Sequence, residues 1–376
     1  MSLQARLIHT LDEVDRAAWQ ALLPQPSIFL DWRLLHGLER SGCLQPRYGW
    51  RAAHLLLEDN GRLRGAAPCY LKANSHGEFV FDQSWAAAYQ RHGLPYYPKL
   101  LCAVPYSPVT GPRLLDAGAA PIRQALLDAL RLQADALQLS SAHINFHREA
   151  IDDPYWLPRF DWQFHWRDAG WQGFDDFLAA LSSKKRKNIL QERRQVARAG
   201  IRIERLCGAT LTREACATLF DFYLDTFQRK GNFAALSAEF FELLGTRLAE
   251  HTLLALAYRQ GRCIAGALFL FDADTLYGRY WGCYEDWPGL HFELCYYQGI
   301  EFCLERGIRN FEPGAQGEHK LARGFLPTRT HSSHYLRDLR FRSAVAESLQ
   351  HESAWLTQYR EQLMTHSPYR KGAAPI

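Results

Sequence analysis

A chain of 376 residues with 47% hydrophobic content can bury a large core and is long enough for about two domains. Its net charge of +4 is too small for a general nucleic-acid binder, so where the charges lie matters more than their sum. Nine cysteines, scattered singly without a Cys-x-x-Cys pair, argue against a disulfide framework and a zinc site and fit a reducing compartment.

The first residues, Met1-Ser2-Leu3-Gln4-Ala5-Arg6, show no basic start followed by an apolar run. No apolar stretch approaches the roughly 18–20 residues that cross a bilayer. A soluble, cytoplasmic protein is expected. In chain order, Ala5–His9 reads as a strand, and Asp12–Leu22 and Asp31–Arg40 as helices. Ala52–Glu58 and Leu63–Leu71 flank Asp59-Asn60-Gly61, a tight-hairpin signal. Pro95, Pro98, Pro105, Pro108 and Pro112 argue against helix between Tyr89 and Arg113 and predict extended chain. A helix is predicted at Pro121–Leu139 and a strand at His143–His147.

The stretch Asp153–Arg167, broken by Pro154 and Pro158, reads as the boundary between domains 1–160 and 161–376. Beyond it, helices are predicted at Asp175–Ala199 (with a break at Ser182-Ser183), Thr212–Lys230 and Ala238–Glu250. Strands follow at Thr252–Tyr258, Cys263–Phe271 and Thr275–Gly282. A helix at His291–Arg306 ends on Gly307, and a strand at Ile308–Phe311 comes next. Residues from about 366 onward are expected to form a mobile tail. The hairpin segment Gly65-Ala66-Ala67-Pro68-Cys69-Tyr70-Leu71 resembles Ala265-Gly266-Ala267-Leu268-Phe269-Leu270. The weak repeat, consistent in order, predicts duplicated α/β halves with mixed sheets.

Between Lys184 and Arg205 nine Lys/Arg face two Glu, and four of these cations, Lys184-Lys185-Arg186-Lys187, sit in the first turn of a helix behind Ser182-Ser183. Cations there oppose the helix dipole by roughly 0.3–1 kcal/mol each. An anion held by the free N–H groups, the serines and these side chains reverses that sign. The bland alternative is a solvated charged face. The proline-rich stretch, with Tyr96, Tyr97, Lys99, Tyr106 and Arg113, suits a wall for a sugar or peptide, or else a stiff connector packing its tyrosines inward.

The loop Gly317-Glu318-His319-Lys320-Leu321-Ala322-Arg323-Gly324-Phe325 follows a strand end, where open α/β folds place their chemistry. Glu312, at the end of that strand and before Pro313, is a candidate general base; its alternative is a loop carboxylate paired with Arg309 or Lys320. His319 is a second candidate for proton transfer. Lys320 and Arg323 suit a phosphate or carboxylate. His291 and Glu293 read most simply as exposed helix-face residues. No Walker loop, Gly-x-Ser-x-Gly or His-Glu-x-x-His is present.

Gly317, Arg323, Gly324 and Phe325 agree with the closing signature of the Fem-type peptidoglycan-bridge aminoacyltransferases, tandem GNAT-fold enzymes; Lys320 stands for Arg, and Ala322 falls where that family has its functional lysine. Lys184-Lys185-Arg186-Lys187-Asn188-Ile189 resembles the family's Lys-x-x-Arg-x-Asn-Ile-Arg region. Together with Glu312–Lys320 and the Pro-aromatic segment, the chain resembles over nearly its whole length a bacterial FemAB-like branch of the GNAT superfamily labelled "peptidoglycan biosynthesis/recognition". The resemblance implies tandem GNAT-like domains of mixed α/β build. It implies transfer of an acyl or aminoacyl group to an amine, with acyl-CoA or aminoacyl-tRNA as donor and a small-molecule or lipid-linked anionic acceptor. Lys184, Arg186 and Asn188 are the implied holders of the acceptor's phosphates; Tyr97 and Lys99, read from the Pro-aromatic wall itself, are the further candidate substrate contacts. An acyl-CoA-dependent acetyltransferase of a small metabolite or lipid, and a non-catalytic binding protein, remain as alternatives. For acyl-CoA the pyrophosphate turn falls at Asp286-Trp287-Pro288-Gly289-Leu290-His291, which has only one glycine.

Overall fold

The computed structural model describes residues 3–148, 151–315 and 317–375, and its contacts divide them into two units: Met1–Trp162 with Arg329–Tyr359, and Gln163–Thr328 with Arg360–Ile376. In the first unit β1 (Gln4–Ile8), α1 (Arg16–Gln20), α2 (Trp32–Arg40) and β2 (Trp50–Ala52) precede the hairpin β3 (His54–Asp59) and β4 (Arg62–Ala67). Then come β5 (Cys69–Lys72), α3 (Gln83–Arg91), β6 (Lys99–Cys102), α4 (Ala120–Ala136), β7 (Ser141–His147) and the first part of β8 (Leu157–Arg167). One sheet has the order β1-β3-β4, and in the other β2, β5, β6 and β7 are successive neighbours. The pairs are antiparallel apart from the parallel β6–β7. Ile122, Leu126, Leu127, Leu130 and Ala134 line one face of α4 and pack with Leu55, Leu57, Leu100 and Ile144 in the core.

Two sequence expectations change here. The helix α3 runs into the segment from Tyr89 that its prolines marked as extended, because the first of them, Pro95, stands beyond the helix end. The change of unit, between Trp162 and Gln163, falls inside the stretch chosen as the domain boundary, but within an eleven-residue strand, Leu157–Arg167, that the sequence reading did not place there. Its aromatic-rich alternation, Phe160, Trp162, Phe164 and Trp166, outweighs the breaking effect of Pro158, which stands at the second position.

The second unit follows with α5 (Phe174–Ala180), α6 (Ser183–Arg198), β9 (Arg202–Cys207), α7 (Arg213–Arg229) and α8 (Ala238–Thr246). Strands β10 (Thr252–Arg259), β11 (Arg262–Phe271) and β12 (Thr275–Cys283) lead to α9 (Leu290–Phe292), a π-helical turn (Glu293–Tyr297), α10 (Gln298–Arg306) and β13 (Asn310–Glu312). Its sheet has the order β8-β13-β12-β11-β10-β9, with β12–β13 parallel. A Cβ on Gly282 would stand 2.4 Å from the Phe222 carbonyl oxygen, so glycine there lets α7 lie close on β12.

Strand β14 (Leu326–Leu336) and helix α11 (Leu339–Met364) complete the chain. Residues of 329–359, placed by the sequence with the C-terminal domain, fold with the first unit because β14 pairs antiparallel with β7, Ser332 opposite Asn145 and Leu336 opposite Ser141. The predicted tail is also fixed in large part. Tyr369 is buried, its hydroxyl donates to Gly324 O at 2.7 Å, and the Ser182 N–H donates to Pro368 O at 2.8 Å. A large aromatic ring so placed outweighs the entropy of a short terminal segment. The two hairpins are alike in turn geometry: Asn60 and Gly61, and Gln260 and Gly261, all have positive φ between 51° and 77°.

Candidate active site

Strand β13 lies between β8 and β12, with Glu312 in register with Tyr277, and the chain leaves it through Pro313. Gly278 makes that exit possible, since a Cβ there would stand 3.2 Å from Pro313 Cα. A 3-10 turn at Glu318–Arg323 follows, bounded by Gly317 at φ 116° and Gly324 at φ 97°. Side chains rarely adopt such angles, and a Cβ on Gly317 would meet the His319 ring at 2.5 Å. Gln316, inside the sequence signature, lies outside the described residues.

Four groups of this region carry its chemistry. Glu312 is buried, and after burial itself its charge is the largest influence pushing the Tyr277 phenol up. Arg309, its sequence-level partner, binds Asp274 instead at 2.8 Å. His319 is exposed, with Nε2 2.8 Å from the Tyr296 hydroxyl. Burial of its inner edge, then the charges of Arg323 and Lys320, lower its pKa below 6.5 and leave a neutral imidazole at pH 7. His291 stands beside it, ring centroids 6.2 Å apart, and burial takes it down to about 4. Lys320 is buried. Its Nζ donates to Gly314 O at 2.6 Å, it has no carboxylate partner among the described residues, and burial takes its pKa down to about 8.

Arg323 has a different place from the one the sequence suggested. Its Nη2 donates to Glu192 Oε1 at 2.6 Å, Nη1 to His319 O at 2.9 Å and Nε to the Tyr297 hydroxyl at 3.1 Å, while the guanidinium lies 3.3 Å from the Phe292 ring centroid. A buried guanidinium with all three nitrogens engaged holds the loop in shape and has little left for a phosphate. Tyr297 also donates to the second oxygen of Glu192. The neighbouring Arg193 spans Glu293 at 3.1 Å and Glu301 at 2.7 Å. Helix α6 is thereby fastened to both the loop and the π-helical turn.

At the opposite end of α6, Lys184 and Asn188 are exposed and Arg186 is half-exposed. Neither serine caps the helix through its hydroxyl: Ser182 occupies the cap position without a side-chain bond, and its N–H is taken by Pro368. Arg370 Nε donates to Leu181 O at 3.2 Å, and Tyr369 donates to Gly324 O, so one short segment touches both the helix start and the end of the loop. The basic first turn and the His319 loop therefore belong to the same unit.

Tyr97 and Lys99 lie in the first unit. Lys99 is fully buried, its ammonium bound to Glu78 at 2.8 Å, to Asp82 and to Ser75 Oγ at 3.0 Å. Three acceptors use up its three donors, so it is an internal ion-pair centre and not a substrate contact. Tyr97 is half-buried, its hydroxyl 2.7 Å from Ser75 Oγ in the same network. Sequence reading missed Glu192, Tyr296 and Tyr297, and it took Glu293 for an exposed residue although it is buried. The π-helical turn places Tyr296 toward His319 and Tyr297 toward Glu192, and such turns leave no mark in hydrophobic periodicity.

A family model described as FemAB-like, peptidoglycan biosynthesis/recognition, matches residues 10–371. FemX has the same fold at a TM-score of 0.51 and 14% identity, over 92% of this chain and 100% of that one. The C-terminal domain (DUF2156) of a putative lysylphosphatidylglycerol synthetase from Agrobacterium fabrum aligns at 0.54 and 9% identity, over 88% and 94%. A conserved protein of unknown function from Bacteroides thetaiotaomicron aligns at 0.52 and 10%, over 89% and 100%. No curated protein matches the sequence.

Proposed function

This chain belongs to the FemAB-like family, with its GNAT-like mixed α/β fold, and on that premise we propose that it is an N-acyltransferase. It moves an acyl or aminoacyl group onto an amine of an anionic, cell-wall-related acceptor, either a small molecule or lipid-linked. The observation that carries this reading is the buried Lys320 ammonium, without a carboxylate partner among the described residues, in a turn that also presents a neutral imidazole, His319. A buried unpaired cation is destabilising unless something negative completes it.

The reaction needs an amine without its proton and donors for the tetrahedral oxyanion. His319, hydrogen-bonded to Tyr296, takes the proton from the acceptor amine as nitrogen attacks the activated carbonyl. Lys320 faces the developing oxyanion or the acceptor's own anionic group. Glu312, buried in register with Tyr277, is the alternative base for that proton. Collapse of the intermediate forms the amide and expels the thiol of an acyl-CoA or the ribose hydroxyl of a charged tRNA, which leaves with the proton. Lys184, Arg186 and Asn188 hold phosphate at the start of α6.

The chain is to be incubated with acyl-CoAs or charged tRNAs and a panel of amines, including phosphate-bearing ones, with His319→Ala and Glu312→Ala in parallel. Amide formation that both substitutions suppress supports the reading. No turnover with any pair refutes it. Calorimetric titration with coenzyme A separates the donors, because tight binding favours acyl-CoA. Ala322, where related enzymes carry lysine, favours a second reading, a binding protein without catalysis. That reading predicts acceptor binding that persists in both variants.

A further inference from the structure

The first unit contains a cavity of about 390 Å³, inside the range of sites for small organic ligands and separate from every residue used above for catalysis. One wall is a face of α4, where Ala120, Arg123, Gln124 and Leu127 follow one another at helical spacing. Pro112 and Leu114 supply apolar surface from the chain before that helix, and His147 and Arg148 stand at the end of β7.

The charges are uneven. Arg123 is paired with Asp116, Nε to Oδ2 at 2.7 Å. Arg148 is exposed and donates to the neutral amide oxygen of Gln25; among the described residues it has no carboxylate partner. Asp152, also on the lining, limits the positive surplus. Arg113, also on the lining, is buried with its guanidinium donating to the carbonyls of Val109, Pro112 and Asn145, so Arg148 is the exposed cation that a guest meets. A cavity that joins this cation to the apolar surface of Pro112, Leu114 and Leu127 fits one kind of guest. A single anionic group on an apolar body meets both surfaces. A polyanion meets Asp152, and a neutral apolar molecule leaves Arg148 without an ionic partner.

We propose that this cavity binds a small organic anion, a carboxylate or phosphate monoester on an apolar body, with Arg148 as its charge partner and the α4 face as its platform. The site is independent of the reaction assigned to the second unit.

The test is calorimetric titration of the full chain with benzoate, phenyl phosphate, benzyl alcohol and inorganic phosphate. At least one of the two organic anions binds with a sub-millimolar Kd, and benzyl alcohol and inorganic phosphate bind at least about tenfold more weakly, as loss of a charged contact or of the apolar body requires. The ratio of benzoate to phenyl phosphate identifies which anion is preferred. Arg148→Gln weakens the anions about tenfold, and Gln124→Trp obstructs the cavity and weakens every ligand; both side chains are exposed, so the thermal midpoint stays where it is. Saturable binding of neither anion overturns the proposal, as does benzyl alcohol binding as tightly as benzoate. Anion binding that both variants leave unchanged places the ligand elsewhere and overturns it as well.

Discussion

Replacing Lys320 by methionine is expected to make the protein more stable and less active. In the folded chain the amine titrates near 8 against an ordinary 10.5, because burial removes water from the ammonium. That difference corresponds to a penalty of about 3 kcal/mol against the charged form. Methionine is of similar length, fills the same space and carries no charge. It loses the hydrogen bond to Gly314 O, which is worth about 1.5 kcal/mol with a charged donor. The net expectation at pH 7 is a gain of about 1–2 kcal/mol.

The pH dependence has a definite sign. Below pH 8 the lysine is protonated in both folded and unfolded chains, so the wild type bears the whole penalty. Between about 8 and 10.5 the folded chain releases the proton while the unfolded chain keeps it, so wild-type stability rises with pH relative to the variant. The advantage of methionine should therefore shrink by about 2–3 kcal/mol between pH 7 and pH 10. Guanidinium denaturation of both proteins at the two pH values, with slopes compared to confirm that the same transition is followed, measures it. Turnover should fall by at least about 100-fold in the variant. A variant less stable than wild type at pH 7, or a difference that does not change with pH, refutes the account of Lys320 as a buried, uncompensated ammonium.

Lys99→Met should act in the opposite direction and destabilise the first unit by about 3–5 kcal/mol at pH 7, because Glu78 and Asp82 lose their shared cation inside the core; thermal denaturation measures it, and a cost below about 1 kcal/mol argues against the ion-pair centre. Glu192→Gln removes the charge partner of Arg323 and is expected to lower kcat/KM about tenfold in the wild type but to add little further loss on a His319→Ala background, since Glu192 acts through the loop that bears His319. His319→Gln should cost about 100-fold or more in turnover and remove the acidic limb of the pH–rate profile, which in wild type lies below 6.5 because burial and the charges of Arg323 and Lys320 lower this imidazole. Lys184→Ala with Arg186→Ala should raise KM for a phosphate-bearing acceptor and reduce its salt dependence, while leaving kcat and thermal stability nearly unchanged, since both side chains lie at the open end of α6.

Local physics was legible in the residues themselves. Asn60-Gly61 and Gln260-Gly261 have the freedom that tight hairpin turns need, and Ser182-Ser183 did separate two helices. The glycines bounding the His319 loop announced two left-handed positions. What the sequence could not give depended on partners far along the chain. Pairing of β14 with β7 joins positions nearly 190 residues apart, and no local pattern states it. The same holds for charge. Lys99 and Lys320 look equally available in the sequence, yet one is saturated by Glu78, Asp82 and Ser75, and the other meets a single carbonyl. Arg323 looked like a ligand for phosphate until Glu192 and Tyr297 were found beside it. Residue type sets which charge a side chain can carry, whereas burial and the counter-charges brought by the tertiary fold decide whether that charge is spent within the protein or left for a ligand.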